Sequence, residues 1–284
     1  MLGVRRHYNG GMRTQTEKAE YLRALHQGPE VLVLPNAWDC SSARIFEEAG
    51  FPAIATTSAG VAFAQGYPDG QRIPGREMLE VVRRIAACVQ IPVTADLESG
   101  YENAAETAEK LIASGAVGLN LEDLENGSEK NLVEIEAQAR KIAEVRRVGM
   151  HRGVPIVINA RTDVYLGQIG EPGTRFERAC ERLRAYIKAG ADCVFIPGID
   201  DENLIRRFAE ALRFPINILA GAATPPVARL KEIGIRRVSV GSGIARAAMG
   251  RTRRAAQELR ATGEFEAMLE GAIPYAEANG LFKR

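Results

Sequence analysis

Two short apolar segments of the chain end in acidic residues whose spacing suggests a metal site. The runs 91–95 and 116–121 are followed by four acids: Asp96, Glu98, Glu122 and Asp123. Small and apolar residues recur at helical spacing between the runs, so the stretch 91–123 predicts strand, helix and strand. Parallel strands joined in this way end at the same edge of the sheet, where the acids would converge. Converging carboxylates repel unless a cation lies among them, and oxygen ligands without histidine or cysteine favour Mg²⁺ or Mn²⁺ over zinc.

Composition restricts the classes of protein to which the chain can belong. Its 284 residues are enough for one large α/β domain, and the 46% hydrophobic and 26% charged content is ordinary for a globular protein. The net charge of +1 gives no global sign of binding to nucleic acid or to an anionic membrane. No apolar run approaches the roughly 20 residues that span a bilayer. The basic N-terminus lacks the apolar core of a secretory signal, and the four scattered cysteines are typical of a reducing cytoplasm.

The elements that would position the acids form a repeating pattern of strand and helix. Eight short apolar strands are predicted at 31–34, 53–57, 91–95, 116–121, 154–158, 192–196, 215–219 and 237–240. Each is too apolar to leave one face in water, as expected for parallel strands covered on both faces. Eight such units predict a (β/α)₈ TIM barrel. The alternative is an open doubly wound sheet, but no GxGxxG loop follows the first strand.

In a barrel, the active site lies at the carboxyl ends of the strands. The first five ends carry polar residues: Asn36, Asp39, Thr57, Ser58, Asp69, Asp96, Glu98, Glu122, Asp123, Asn159, Arg161 and Asp163. The last three ends offer only backbone and small side chains, so chemistry is expected on the first half of the rim.

A purely structural interpretation exists for several of these residues. The acids could cap the helices that follow them, and Arg161 could simply pair with an acid. A guanidinium beside a metal is nevertheless well shaped to bind a carboxylate or phosphonate. The three histidines, His7, His26 and His151, are expected at the surface, which leaves no imidazole for acid–base chemistry at the rim.

Over roughly 34–250, the chain resembles the isocitrate lyase/phosphoenolpyruvate mutase superfamily. The matching segments are PNAWDCSSARIFEEAGFPAIATTS, GYPDG, PVTADLESGY, GLNLED and NARTD, in this order. The resemblance implies a (β/α)₈ barrel in tetramers or dimers of dimers that exchange a C-terminal helix. It also implies Mg²⁺, or Mn²⁺, and a small 2-oxo or 2-hydroxy carboxylate that reacts through an enolate-like state.

The resemblance assigns roles to individual residues. Asp96 matches the acid that binds the metal directly, while Glu98 and Glu122 would hold metal-bound waters. The substrate-binding set comprises Thr57, Ser58, Ala59, Asp96, Asn159 and Arg161. Within it, residues 57–59 match a turn that grips the substrate carboxylate, and Arg161 matches the arginine that binds its carboxylate or phosphonyl end. The catalytic set comprises Arg161, Glu122 and Asp69.

The loop 124–132 differs from the family patterns. Isocitrate and methylisocitrate lyases have a KKCGH-like or KRCGH-like loop there, and phosphoenolpyruvate mutases an EDKxFPKxN-like loop. This chain has neither, but Asn126, Glu129 and Lys130 are polar or proton-transferring candidates. The first hypothesis is a Mg²⁺-dependent lyase, decarboxylase or hydrolase acting on a small 2-oxo or 2-hydroxy carboxylate. The alternatives are a C–P enzyme of the phosphonopyruvate type and a non-catalytic binder of 2-oxo acids.

The sequence divides into three predicted parts. Residues 1–13 form an arm, 14–262 form the barrel, and 263–284 form a helical extension exchanged between subunits. The expected partners are a small carboxylate and further copies of the chain, as a dimer or tetramer, with no nucleic acid and no membrane. The expected location is the cytoplasm.

Overall fold

A computed structural model describes residues 13–125, 128 and 130–283. It contains nine parallel strands in one sheet, ordered β1-β9-β8-β7-β6-β5-β4-β3-β2. The strands are β1 Leu32–Leu34, β2 Asn36–Ala37, β3 Ile54–Thr56, β4 Val93–Asp96, β5 Gly118–Glu122, β6 Val157–Arg161, β7 Cys193–Phe195, β8 Ile216–Leu219 and β9 Arg237–Ser239. All eight predicted strands are present, and a ninth, β2, follows the first of them directly after Pro35.

The break between β1 and β2 at Pro35 is also where the barrel closes. Because proline has no N–H, it interrupts the ladder, so β1 pairs with β9 while β2 pairs with β3. The carbonyl of Pro35 still accepts a hydrogen bond from the backbone of Ala55 at 2.9 Å. The side chain of Asn36 accepts from the backbone N–H groups of Val240 and Gly241, both at 2.9 Å. The first and last strands are thus joined, and the predicted (β/α)₈ barrel is confirmed.

Helices surround this sheet. They are α1 Gln15–Gln27, α2 Cys40–Glu48, α3 Ser58–Ala64, α4 Gly75–Cys88, α5 Ala104–Ala113, α6 Ile135–His151, α7 Arg175–Lys188, α8 Glu202–Leu212, α9 Val227–Ile233, α10 Gly243–Ala261, α11 Glu266–Leu269 and α12 Tyr275–Gly280, with a 3₁₀ turn at Pro172–Thr174. The apolar stripe of α4, formed by Met78, Leu79, Val82 and Ile85 at helical spacing, is buried. Within the described chain, no helix is long and apolar enough to cross a membrane.

Helix α1 covers the amino ends of the strands, opposite the predicted site. A Cβ on Gly118 would lie 3.2 Å from the side chain of Leu22, so this helix packs directly under the strands. Arg23 pairs with Asp192 at 2.9 Å and fixes the helix to the floor of the barrel. His26 is only 1% exposed, so its predicted surface position is wrong. The error arises because α1 packs against the end of the sheet, which periodicity alone does not reveal. His151 is exposed as expected, and His7 lies outside the described residues.

Two further elements differ from the prediction. The segment after β3, expected as a turn and a loop, begins helix α3, because the side chain of Thr57 caps it by accepting from Gly60 N at 3.2 Å. The C-terminal extension 263–284, expected to be helical, contains two short helices, α11 and α12. Gly271, at φ 66°, and Pro274 lie between them and prevent one continuous helix.

Candidate active site at the carboxyl ends of the strands

Asp96 ends strand β4 and accepts hydrogen bonds from two neighbouring elements. Its Oδ2 accepts from the backbone N–H of Ser58 at 3.1 Å and from the Ser58 hydroxyl at 2.7 Å. Its Oδ1 accepts from the side-chain amide of Asn120, on β5, at 3.3 Å. Three donors therefore fix the plane of the Asp96 carboxylate.

Glu98 lies beside Asp96 in an unusual backbone conformation. Its φ of 52° is in the left-handed region, which a non-glycine residue seldom adopts outside turns or functional sites. The side chain is buried, and its Oε1 has no hydrogen-bond partner among the described residues. Burial, with the nearby charges of Asp96 and Asp69, raises the pKa of Glu98 to about 8. A strained, buried carboxyl group without a partner indicates a binding role.

The loop between α3 and α4 places Asp69 at this rim. The side-chain carbonyl of Gln71, in the same loop, accepts from the hydroxyl of Ser99 at 2.7 Å and from its backbone N–H at 3.2 Å. These bonds attach the loop to the segment after β4. Asp69 itself is exposed and faces the cavity, as expected for a residue that meets a ligand.

Arg161, at the end of β6, lies between two acids. Its Nη1 pairs with Oε2 of Glu122 at 2.8 Å. Its Nε and Nη2 donate to Oδ1 of Asp163 at 3.0 and 2.6 Å. Burial alone would lower the pKa of Arg161, but the charges of Asp163, Glu122 and Asp96 raise it. Burial raises the pKa of both partner carboxyls, although Arg161 opposes the shift. The guanidinium thus remains charged and is held from two sides.

Asp123 faces away from this site, although the sequence grouped it with the converging acids. Its carboxylate accepts from Thr162 Oγ1 at 2.8 Å, Asp163 N at 3.0 Å, Tyr186 OH at 2.7 Å and Arg182 Nη1 at 3.1 Å. Successive side chains of a strand point to opposite faces, so Glu122 enters the barrel and Asp123 enters the layer between sheet and helices. Asp123 is therefore a buried structural acid, neither a helix cap nor part of the rim.

The remaining predicted residues occupy different depths. Ala59 and Thr57 line a cavity of about 220 Å³ together with Asp96 and Arg161. Asn159 is fully buried below them, where its amide donates to Asn120 Oδ1 at 2.8 Å, and it does not line the cavities. Asp39, which the sequence placed among the polar residues of the rim, instead caps α2 and accepts from Ser42 N at 2.7 Å.

A larger cavity of about 760 Å³ adjoins the first and shares Ser58, Asp69 and Arg161 with it. Sequence reasoning did not assign the loop after β6 to the site, although Leu166, Gly167, Gln168, Ile169 and Gly170 line this cavity. It also missed Asn120, whose position two residues before Glu122 places it on the same face of β5. That alternation was the available signal.

The donor set fits a hard divalent cation. The rim offers carboxylate oxygens, and Glu98 Oε1 and Asp163 Oδ2 are buried without partners in the described chain. Across the residues that the structure describes, no three acids, histidines or cysteines are grouped as a direct coordination shell. A site with Asp96 as its one direct protein ligand, and the other acids reaching metal-bound waters, requires no such group. That assignment stays a prediction.

Comparison with known proteins places the chain in a family. The family model described as phosphoenolpyruvate phosphomutase matches residues 22–260. An uncharacterized Mycobacterium tuberculosis protein is 34% identical, over 89% of this chain and 92% of its own length. The 2-methylisocitrate lyase of Bacillus subtilis is 32% identical, over 73% of this chain and 68% of its own length. The oxaloacetate decarboxylase of Rhodopseudomonas palustris is 30% identical, over 77% of this chain and 76% of its own length.

Solved structures share the fold over almost the whole chain. A Burkholderia cenocepacia protein provisionally called a lyase/mutase is 36% identical, with a TM-score of 0.87 over 95% of this chain and 97% of its own. Phosphonopyruvate hydrolase, solved with oxalate and Mg²⁺, is 25% identical, with a TM-score of 0.82 over 93% and 94%. The chain belongs to the phosphoenolpyruvate phosphomutase family and is an enzyme of the isocitrate lyase/phosphoenolpyruvate mutase superfamily.

Proposed function

We propose that the protein is a Mg²⁺-dependent or Mn²⁺-dependent carbon–carbon lyase that acts on a small 2-oxo or 2-hydroxy carboxylate. The observation that carries the proposal is the cavity that Asp69, Glu98, Glu122 and Arg161 line together. It combines an excess of carboxylates with one guanidinium, which are the groups needed to bind a dication and an anionic substrate.

The acids of the rim would hold the metal. Asp96 is the direct ligand in this proposal, and Glu98 and Glu122 orient waters around the ion. A dication bound there would supply Lewis-acid stabilisation of negative charge that develops on the substrate's 2-oxo oxygen. The backbone and hydroxyl of Ser58 orient Asp96 for this role.

Arg161 would bind the carboxylate end of the substrate. Each of its terminal nitrogens carries two N–H groups, so Glu122 and Asp163 do not exhaust its donors. The pair of acids holds the planar group in one orientation before substrate arrives, which lowers the entropic cost of binding. Cavity residues 57–59 follow β3, which lies on the other side of β4 from Arg161 and β6. They would bind the other polar end of the substrate.

The choice of a lyase depends on the loop 124–132. It contains no cysteine, so the proton transfer expected of an isocitrate-lyase-like loop has no thiol here. Lys130 lines the larger cavity and is the described candidate for a proton donor, through its Nζ. Asn126 and Glu129 lie outside the described residues. Decarboxylation of a 2-oxo dicarboxylate leaves an enolate that solvent can protonate, so it does not require a thiol, and oxaloacetate decarboxylase is among the relatives.

The test is a panel of oxaloacetate, malate-type and methylisocitrate-type acids with Mg²⁺ or Mn²⁺, with pyruvate, glyoxylate and CO₂ measured. The wild type is expected to release one of these products, and Asp96→Asn is expected to abolish release. Asp39→Asn is the matched control, because this acid caps a helix and should leave turnover unchanged.

Two results would replace the proposal. A change in the ³¹P resonance of phosphonopyruvate, without turnover of the carboxylate panel, would show C–P chemistry. Tight binding of 2-oxo acids by calorimetry, without turnover of any substrate, would show a non-catalytic binder.

A further inference from the structure

The interior of the barrel below Asp96 contains an unbroken chain of hydrogen bonds. Asn120 Nδ2 donates upward to Asp96 Oδ1 at 3.3 Å. Its Oδ1 accepts from Arg237 Nη2 at 3.2 Å and from Asn159 Nδ2 at 2.8 Å. These hydrogen bonds therefore connect β9, β6 and β5 to Asp96 at the end of β4. All four side chains lie on the inward face of their strands.

The chemistry of the end groups determines which way the Asn120 amide points. A guanidinium has only donors, and an ionised carboxylate has only acceptors. Asn120 can satisfy Arg237 and Asp96 together only with its oxygen toward the arginine and its nitrogen toward the acid. The donor from Asn159 reinforces this orientation. If the Asn120 amide were flipped, its oxygen would face the Asp96 carboxylate, and the hydrogen bonds from Arg237 and Asn159 would be lost.

Burial of Arg237 costs free energy, because the guanidinium is charged and only partly hydrogen-bonded. Its side chain is completely buried, and its Nε and Nη1 have no hydrogen-bond partner among the described residues. No ion pair joins it to an acid in the described part of the chain. Burial lowers the pKa of Arg237 to about 10, while Cys193 and Asp96 oppose the shift, so it remains a cation at neutral pH. A buried cation without an ion pair costs stability, which a purely structural residue would avoid.

We propose that Arg237 is a positioning residue, which together with Asn159 fixes the amide of Asn120 so that Asp96 presents its carboxylate to the metal in one orientation. The inference rests on the proposed function, because it concerns the same metal site. In this proposal Asn159 does not bind the substrate, the role that the sequence suggested, but supports Asp96 indirectly through Asn120.

Charge and positioning predict opposite effects for the loss of Arg237. A cation below the site repels a bound dication, so its removal would tighten metal binding if charge alone mattered. If Arg237 acts through Asn120, its removal weakens binding, because Asp96 loses a fixed donor. Changes to such outer groups typically weaken metal affinity about 10-fold or more.

The experiment measures Mn²⁺ binding without substrate, by electron paramagnetic resonance of the free ion and by calorimetry. The variants are Arg237→Met, Asn120→Ala, their double mutant and Asn159→Ala, which removes a donor to Asn120 without changing charge. The matched control is Asn217→Ala. Asn217 also faces into the barrel and is the register partner of Arg237, but its amide bonds Ser239 and does not contact Asp96.

The expected result is about 10-fold weaker Mn²⁺ binding by Arg237→Met and by Asn120→Ala. The double mutant should be no weaker than Asn120→Ala, since Arg237 acts through that amide. Asn159→Ala should weaken binding severalfold and serves as the deciding variant if Arg237→Met does not fold. Asn217→Ala should bind as the wild type does.

Several results would overturn the inference. These are unchanged or tighter binding by Arg237→Met, independent losses in the double mutant, unchanged binding by Asn159→Ala, or an equal loss in the Asn217→Ala control. If the wild type binds Mn²⁺ and Asp96→Asn does not, such results reject only the role of Arg237. No saturable binding by the wild type would reject the metal site and this inference together.

Discussion

Asp163 holds the guanidinium of Arg161, two residues earlier in the chain, through two hydrogen bonds to a single carboxylate oxygen, at 3.0 and 2.6 Å. The other oxygen of Asp163 has no partner among the described residues and is buried. The backbone N–H of Asp163 is itself bound by Asp123 at 3.0 Å. The position of Arg161 therefore depends on a buried acid behind it as well as on Glu122 beside it.

We expect Arg161→Lys to lower kcat/KM by about 100-fold, because an ammonium group cannot bind a carboxylate in the bidentate geometry of a guanidinium. Steady-state kinetics on the substrate found in the panel measures this. Arg23→Lys is the matched control, since Arg23 also pairs with an acid but lies at the floor of the barrel. Wild-type kinetics in Arg161→Lys would contradict the assignment.

The buried network of Asp123 predicts a large effect on stability. Asp123→Ala leaves Arg182, which is 4% exposed, without its ion partner, so the free energy of unfolding should fall by about 3–5 kcal/mol. Tyr186→Phe removes a single hydrogen bond to the same carboxylate and should cost about 1 kcal/mol. Urea denaturation compares the two variants. Similar losses in both would show that the ion pair contributes little.

His26 predicts a loss of stability in acid. Burial, and then the charge of Arg237, lowers the pKa of His26 from 6.5 to about 4. Between these values the unfolded chain binds more protons than the folded protein does. The stability that the uncharged His26 contributes to the folded protein is therefore fully present above pH 6.5 and is lost as pH falls toward 4.

The wild type should consequently lose about 2–3 kcal/mol more stability than His26→Gln between pH 7.5 and about 4.5. Urea unfolding at both pH values measures the difference, and the acids shared by the two proteins cancel. His151→Gln, at an exposed position, is expected to keep the wild-type pH dependence. Parallel pH curves for the wild type and His26→Gln would rule out the assignment.

The C-terminal extension predicts self-association. It exposes large apolar side chains at Phe265, Met268, Leu269, Ile273, Tyr275 and Phe282. An apolar face of this kind marks a protein interface. We expect light scattering to give a mass that is a multiple of 30.9 kDa, and we expect removal of 263–284 to reduce it.

Leu269→Glu should reduce the mass in the same way as the deletion. Met150→Glu, a change at an exposed position in α6, should leave it unchanged. A full-length chain that remains at the mass of one copy would contradict the prediction.

Much of the fold was predictable from local pattern. The eight strands follow from short apolar runs, the buried stripe of α4 follows from helical spacing, and the polar residues at the strand ends follow from their position after those runs, all of which a single sequence displays. The helical cap at Thr57 and the break between α11 and α12 were missed, because each depends on a few residues whose turn chemistry competes with the periodic signal.

The sequence by itself determined the barrel, its acidic rim and the presence of Arg161 among the acids, because strand ends and residue types are local properties. Only the tertiary structure separated Glu122, which enters the barrel, from its neighbour Asp123, which does not. It also buried His26 and brought Arg237 beneath Asp96, although 141 positions separate them in the chain. Those relationships arise from closure of the sheet on itself, which joins distant segments according to the shape of the barrel.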